Sequence, residues 1–281
     1  MNKTKTFTFI FSLLFFLTSC QTLGSLKGEF ISSPPVFPEP ELCPNEITWK
    51  EFEDGFLITS HNIRELGVSW HCVKIDLNNP NLKIYMEPHK TNLGSTFKVK
   101  DFAKATKSAV AINTTPFDLA GKTYLPEGIV KYNNEQIWPP KERYCALAFT
   151  KTEENLFRAE IINQQSPDVF EDIPFAMGGF FTILKDDEII PFAKNKRSRT
   201  GCGISDNGRY LYLMVTTPFF HPTDRNGLNY EECALIFRKL GCDNAMQFDG
   251  GHSSAMVVNG KPVETPFMQR KVPVAIGFSV K

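Results

Sequence analysis

Short strand-like segments, separated by turns rich in glycine, asparagine and proline, recur along this chain and constrain its fold more than any other feature. Apolar and polar residues alternate over residues 68–76, as in a strand with one buried face. Residues 78–81 (Asn-Asn-Pro-Asn) predict a turn that joins this strand in a hairpin to a second one at 82–86. Asn133-Asn134 is expected to close another hairpin. Further strand-like segments lie at residues 56–58, 109–112, 144–150, 210–216 and 274–278.

Two segments have a helical pattern instead. Residues 96–107 predict a short helix with one apolar face, formed by Phe97, Phe102 and Ala105. A second helix is expected over residues 230–240, with Asn229 as its N-cap and Gly241 as its stop. Its expected buried positions are Ala234, Leu235, Phe237 and Leu240. Because strand signals outnumber helix signals, we predict an α+β fold: a single domain of antiparallel or mixed sheets with a few packed helices.

The N-terminus has the pattern of an export signal. Lys3 and Lys5 precede an apolar stretch, residues 7–17, that is shorter than the roughly 20 residues of a spanning helix. The stretch ends in Leu-Thr-Ser-Cys, which looks like a bacterial lipobox with Cys20 as the lipidated, palmitate-bearing residue. An ordinary secretory signal with an incidental cysteine is the alternative. We therefore predict a lipoprotein signal peptide at 1–20, a Pro/Ser-rich tether at 21–50 and a folded domain at 51–281.

Lipidation would anchor the chain to a membrane of the bacterial cell envelope without spanning it. Gln21 after the lipidated cysteine favours the outer membrane or the periplasmic face. The 31 basic and 31 acidic residues give no net charge, so no nucleic-acid partner is predicted. Beyond Cys20, six cysteines allow disulfides in an exported protein, and Cys233–Cys242, followed by Cys145–Cys202, are the favoured pairs. Buried free thiols are the alternative.

Residues 246–256 place a carboxylate directly after an apolar run. Asp249 is followed by Gly250, Gly251, His252 and Ser253, and small residues beside a double glycine let a ligand approach the main chain closely. Because Asp-Gly is also a common turn dipeptide, a plain hairpin at Asp249 explains the same residues. The local pattern alone leaves both interpretations open.

The order of several motifs decides between them. The chain carries Asn113 at a strand end, a Pro-Glu-Gly turn at 126–128, a double glycine at 178–179 and Arg199-Thr200 before a strand. Gly-Leu-Asn-Tyr-Glu-Glu-Cys-Ala then opens the second helix at 227–234, and Phe-Asp-Gly-Gly-His-Ser-Ser follows at 248–254. Together these motifs resemble the phosphodiester glycosidase family, whose bacterial members are often exopolysaccharide-related. The resemblance covers residues 65–281 and is strongest over 199–256.

The resemblance implies a hydrolase that cleaves a sugar-1-phosphodiester in an envelope or extracellular glycan. Such a reaction needs a carboxylate at the anomeric carbon and a cation for the departing phosphate, which predicts Asp249 as base or nucleophile and Arg199 as the phosphate ligand. Glu127 is expected to be the second carboxylate, and Asn113 to hold sugar hydroxyls or the phosphate. The predicted substrate-binding residues are Thr200, Gly250, Gly251, His252 and Ser253.

The chain departs from the family pattern at the rim of this site. Thr114 and Thr115 stand where family members usually have glycines, and His252 stands where a small residue is common. A non-catalytic, polysaccharide-binding surface lipoprotein with a degenerate site is therefore the alternative function. No cofactor is predicted. Carboxylates that hold Ca²⁺ or Mg²⁺ are a further alternative, which the lack of a dense oxygen-ligand motif opposes.

Overall fold

The computed structural model describes residues 41–218, 227–264 and 270–280. Within these ranges the regular structure is mainly β, with two α-helices. In chain order the elements are β1 (Lys50–Glu53), β2 (Phe56–Ile63), β3 (Val68–Asp76), β4 (Leu82–Glu87), α1 (Val99–Thr106), β5 (Val110–Asn113), β6 (Phe117–Ala120), β7 (Thr123–Pro126), β8 (Val130–Tyr132), β9 (Glu135–Trp138), β10 (Ala146–Lys151), β11 (Phe157–Ile162), β12 (Phe175–Gly178), β13 (Thr182–Lys185), β14 (Glu188–Ile189), β15 (Arg199–Ser205), β16 (Tyr210–Pro218), α2 (Tyr230–Lys239), β17 (Asn244–Gln247), β18 (Met256–Val258), β19 (Lys261–Glu264) and β20 (Ala275–Val280).

The strands form antiparallel sheets. The largest has eight strands in the order β1-β2-β3-β16-β15-β17-β13-β14. Two sheets have five strands each, in the orders β11-β10-β12-β8-β9 and β19-β18-β5-β20-β4, and β6 and β7 form a separate two-stranded hairpin. The described chain is thus predominantly β, so the α+β prediction is right about antiparallel sheets with packed helices and overstates the helical share.

The eight-stranded sheet is covered on both faces. Along β3, Val73 and Ile75 face a core shared with the two five-stranded sheets, while Trp70 and Cys72 face α2. The Trp70 indole Nε1 also donates to the Leu42 carbonyl at 2.8 Å, because residues 42–49 pack on this same outer face. The alternating pattern therefore marks a strand buried on both sides rather than on one. The last ten residues of the predicted tether, 41–50, lie against or in this sheet.

The predicted hairpin between residues 68–76 and 82–86 is wrong. β3 pairs with β2 and β16, whereas β4 pairs with β20 in a different sheet. The turn at 78–81 exists, but it carries the chain from one sheet to the next. By contrast, Asn133 and Asn134 join β8 to β9 as predicted, and both have the positive φ that such tight turns require.

Both predicted helices are present, each with one exposed residue at a predicted buried position. The first begins at Val99, so Phe97 lies before it and forms a β-bridge with Val272. The Asn229 side chain accepts a hydrogen bond from the Glu232 amide, and the Glu232 carboxylate accepts one from the Asn229 amide, each at 2.8 Å, so the predicted N-cap of α2 is confirmed. Leu235 is 38% exposed, whereas α2 buries its other face through Cys233, Ala234, Ile236 and Phe237. In α1, Ala105 is exposed and Ala103 is buried beside Phe102. At 3.6 residues per turn, the face that buries Cys233, Ile236 and Phe237 leaves Leu235 on the opposite side of α2.

The six cysteines of the described chain are free thiols. Five are buried, namely Cys72, Cys145, Cys202, Cys233 and Cys242, and Cys43 is partly buried. The favoured disulfides are therefore wrong, and the alternative of buried thiols is confirmed. Burial raises the pKa of the Cys233 thiol to about 12, so it behaves as an inert apolar group.

The predicted signal peptide and Cys20 lie outside the described residues. Among the residues that are described, no helix is long and apolar enough to cross a membrane.

Candidate active site

Asp249 lies at the seam between two sheets, not in a hairpin. β17 ends at Gln247 in the eight-stranded sheet, and the chain then passes through a short 3₁₀ turn, Gly251–Ser253, into β18 of a five-stranded sheet. A Cβ at Gly250 would lie 2.8 Å from the Ser198 carbonyl oxygen, and Gly251 has φ +60°. The double glycine thus lets the crossing run close to the neighbouring backbone. The hairpin interpretation is excluded.

Backbone and amide contacts fix the position of Asp249. Its N–H donates to the Thr114 carbonyl at 2.8 Å, and the Asn113 Nδ2 donates to the Asp249 carbonyl at 2.7 Å. The Asn113 Oδ1 in turn accepts from Thr200 Oγ1 at 3.1 Å and from the Ala255 amide at 3.0 Å. The structure therefore brings Asn113 and Thr200 beside Asp249, with their side chains bonded to protein groups. Their predicted contacts with substrate stay predictions.

The Asp249 carboxyl group is buried, with 8% of the residue exposed. Burial raises its pKa from the ordinary value of 3.8 to about 6, against the opposing effects of a hydrogen bond from Ser253 and the charge of Arg270. Its Oδ2 has no hydrogen-bond partner among the described residues and lies 3.7 Å from Arg270 Nη2. A buried carboxylate with a spare oxygen and a pKa near neutrality can act as a base or as a nucleophile.

Arg270 is a site residue that the sequence did not reveal. Its Nε donates to Ser253 Oγ at 2.9 Å, and its guanidinium carbon lies 4.5 Å from the centre of the Phe117 ring. Its backbone N–H donates to the His252 carbonyl at 3.2 Å, which ties the segment before β20 to the Asp249 loop. No recognisable motif surrounds Arg270, so only the fold places it here.

Arg199 starts β15 beside the Asp249 loop, but its side chain contacts other groups. Phe248 N–H donates to the Thr200 carbonyl at 2.8 Å, which sets the start of β15 alongside the Asp249 loop. The Arg199 Nε donates to the Leu228 carbonyl at 2.8 Å, and one Nη donates to the Asn195 carbonyl. The guanidinium also stacks on the Tyr230 ring at 4.3 Å. Its predicted role as the phosphate ligand stays a prediction.

Glu127 forms an ion pair with Lys141 at the rim. Its backbone N–H donates to the Pro116 carbonyl at 2.6 Å, so Glu127 lies near the segment formed by Thr114 and Thr115. Among the described residues its side-chain contact is with Lys141 and not with the Asp249 group. The structure places Glu127 next to the site without joining it to Asp249, and its role as second carboxylate stays a prediction.

The rim also presents buried hydroxyls. Thr114 Oγ1, Thr115 Oγ1 and Ser254 Oγ are buried and have no hydrogen-bond partner among the described residues. Ser253 is buried as well, whereas His252 is exposed. A buried hydroxyl without a partner costs free energy, so such a group is expected where a ligand or a water completes the site. Within the ranges that the structure describes, no cluster of three His, Cys, Asp or Glu side chains could hold a metal ion.

Comparisons with known proteins concern the family and the fold of the chain. The sequence model of phosphodiester glycosidases matches residues 106–279, and no curated protein sequence matches the chain. The catalytic domain of zebrafish N-acetylglucosamine-1-phosphodiester alpha-N-acetylglucosaminidase, auto-inhibited by its pro-peptide, has a similar fold, with a TM-score of 0.63 and 17% identity over 84% of each chain.

Two bacterial structures share the fold. A hypothetical protein from Synechocystis has a TM-score of 0.65 at 16% identity, over 85% of this chain and 64% of that protein. An exported protein from Burkholderia pseudomallei has a TM-score of 0.59 at 12% identity, over 75% of this chain and 74% of the other. At these identities the structures establish the fold alone. The family match spans more than half of the sequence, and the chain belongs to the phosphodiester glycosidase family.

Proposed function

We propose that this protein is a lipid-anchored hydrolase that cleaves the bond between a sugar's anomeric carbon and a phosphodiester in an envelope or extracellular glycan. The observation that carries the proposal is the buried Asp249 carboxylate, whose spare oxygen faces a guanidinium 3.7 Å away. Family membership supplies the reaction class, and the zebrafish relative's name describes a sugar-1-phosphodiester substrate.

The chemistry requires two charges of opposite sign at adjacent positions. As the sugar–oxygen bond breaks, positive charge develops at the anomeric carbon and negative charge on the departing phosphate. Asp249 would stabilise or attack the first, and an arginine would receive the second. Because a phosphate monoester has a second pKa of about 6, it leaves readily and needs little help from a general acid. Glu127, which forms an ion pair with Lys141, is therefore not needed as a strong general acid.

The anchored location is a second part of the proposal. Cys20 would carry the lipid, and the folded domain would act on glycans at the outer membrane or the periplasmic face of a bacterial envelope. The support is the sequence pattern of the first twenty residues, a charged start followed by an apolar run and a small-residue cleavage site.

The test is hydrolysis of a panel of sugar-1-phosphodiesters that differ in sugar and anomeric configuration, by the purified chain without its signal peptide. Released sugar and phosphate monoester are measured together. In water enriched in oxygen-18, cleavage at the anomeric carbon places the label in the sugar, whereas cleavage at phosphorus places it in the phosphate. We expect label in the sugar. Label in the phosphate would contradict the role of Asp249.

The non-catalytic alternative draws on one feature of the structure. Thr114, which stands where family members usually have a glycine, is buried beside the Asp249 loop, and its side chain occupies space that a glycine would leave to a ligand. A binding protein would retain envelope glycan in an equilibrium assay and release no sugar from any member of the panel. Release that is lost in Asp249→Asn excludes this alternative.

A further inference from the structure

The Arg270 guanidinium contacts two parts of the site: its floor, which is the loop from Asp249 to Ser253, and its rim, which includes Phe117 at the start of the β6–β7 hairpin. Its Nε is bonded to Ser253 on the floor, and its plane lies over the Phe117 ring at the start of the β6–β7 hairpin, 4.5 Å from the ring centre. These two contacts orient a side chain that is still 53% exposed. An arginine held on one edge and one face presents its remaining N–H donors in a fixed direction.

Those donors are directed at the space beside Asp249. The 3.7 Å between Arg270 Nη2 and Asp249 Oδ2 exceeds a hydrogen bond, so the pair attracts without either group satisfying the other. A glycosyl phosphate has one bridging oxygen between its anomeric carbon and its phosphorus. A ligand of this shape can therefore place carbon against the carboxylate and phosphate oxygens against the guanidinium.

Arg199 is less able to receive a phosphate directly. Two of its nitrogens already donate to the Leu228 and Asn195 carbonyls, and one face of its guanidinium is covered by Tyr230 at 4.3 Å. Turning the guanidinium toward a ligand would break both hydrogen bonds, although the Leu228 carbonyl would keep the Arg197 amide as a donor. The contacts of Arg199 are those of a residue that holds the segments before β15 and α2 together.

We propose that Arg270 is the residue that hydrogen-bonds the phosphate of the substrate, with Ser253 and Phe117 as the residues that position it. The inference rests on the proposed function for the substrate class, and it moves the phosphate contact from Arg199 to Arg270. Bidentate, charge-assisted hydrogen bonds from a guanidinium suit a phosphate better than the point charge of a lysine.

Binding of methyl phosphate, which represents the departing monoester, tests the assignment without requiring turnover. We expect isothermal titration calorimetry to show that Arg270→Gln weakens methyl phosphate by about tenfold or more, as for the loss of hydrogen bonds to a charged group. Arg270→Lys should recover part of the affinity, and Phe117→Leu should weaken binding with little change in melting temperature. Arg238→Gln, which removes an exposed charge from the last turn of α2, is the matched control and should bind as the wild type does.

Three results overturn the assignment. It fails if the wild type does not bind methyl phosphate, if Arg270→Gln binds it as the wild type does, or if Arg270→Lys and Arg238→Gln lose as much affinity as Arg270→Gln. Should Arg270→Gln unfold, Arg270→Lys alone must show weakened binding. If Arg270 governs methyl phosphate binding while no sugar-1-phosphodiester is cleaved, the proposed function fails and the anion site stands. If a sugar-1-phosphodiester is cleaved but methyl phosphate binding does not depend on Arg270, the proposed function stands and the assignment of Arg270 fails.

Discussion

Replacing Asp249 with asparagine is expected to stabilise the protein and abolish its activity. The native state binds the Asp249 proton more tightly than the unfolded chain does, because burial raises the pKa from 3.8 to about 6. This contribution to stability is complete below pH 3.8 and is lost as the pH rises through 6. Above that pH the folded protein holds a buried carboxylate at a cost that asparagine, of nearly the same shape, does not have.

The size of the effect follows from the pKa shift. A shift of about two units corresponds to about 3 kcal/mol once both states are ionised. The same relation gives about 1.5 kcal/mol at pH 5 and about 0.5 kcal/mol at pH 4. We therefore expect Asp249→Asn to exceed the wild type in free energy of unfolding by roughly 2–3 kcal/mol at pH 7, with the difference almost gone at pH 4.

Urea unfolding of both proteins at pH 4, 5, 6 and 7 measures this difference, and sugar release measures activity. Turnover should fall by about a hundredfold or more in Asp249→Asn, as for the loss of a general base or nucleophile. Asp172→Asn, at an exposed position, is the control and should change stability by less than about 0.5 kcal/mol. An Asp249→Asn protein that is no more stable at pH 7, or whose advantage does not shrink on acidification, would refute the reasoning.

Two further substitutions test the surroundings of the site, and a third tests the lipid anchor. Asn113→Ala removes the amide that bonds the Asp249 carbonyl and should lower the free energy of unfolding by about 2–4 kcal/mol, measured by urea unfolding; a loss below about 0.5 kcal/mol would contradict its positioning role. Glu127→Gln breaks a partly exposed pair with Lys141 and should cost less than about 1 kcal/mol of stability, while a fall in turnover of about tenfold or more would mark Glu127 as the second carboxylate. Cys20→Ser should abolish palmitate labelling in a bacterial host and move the protein from the membrane to the soluble fraction; unchanged labelling would contradict the lipobox.

Local chemistry accounts for what the sequence predicted well. Asn229 and Glu232 cap α2 because both partners lie within one turn, and Asn133-Asn134 closes a hairpin because asparagine tolerates positive φ. Each of these features depends on residues a few positions apart. The pairing of β3 with β16 rather than with β4 depends on residues more than a hundred positions apart, and no local pattern carries that information.

The same distinction separates the predicted from the unpredicted residues of the site. Asp249, Gly250 and Gly251 stand out in one short stretch, as a strand end followed by a double glycine, but only the order of motifs along the chain favours a site there over a hairpin. For Arg199 the sequence indicated a backbone position at the start of a strand near Asp249. It could not indicate where the side chain points, because that depends on hydrogen bonds to the carbonyls of Leu228 and Asn195.

The position of the Asp249 loop between two sheets explains why one oxygen of this carboxylate can be buried without a hydrogen-bond partner in the part of the chain that the structure describes. Where β17 leaves the eight-stranded sheet and β18 enters another, the backbone groups of Asp249 need new partners, and Thr114 and Asn113 supply them from the end of β5. The loop is thus held by its main chain, so its side chain need not be bonded to hold it. The Oδ2 oxygen of Asp249 is therefore free to take part in the reaction. Burying this charged group lowers the free energy of unfolding, and Asp249→Asn should restore that stability.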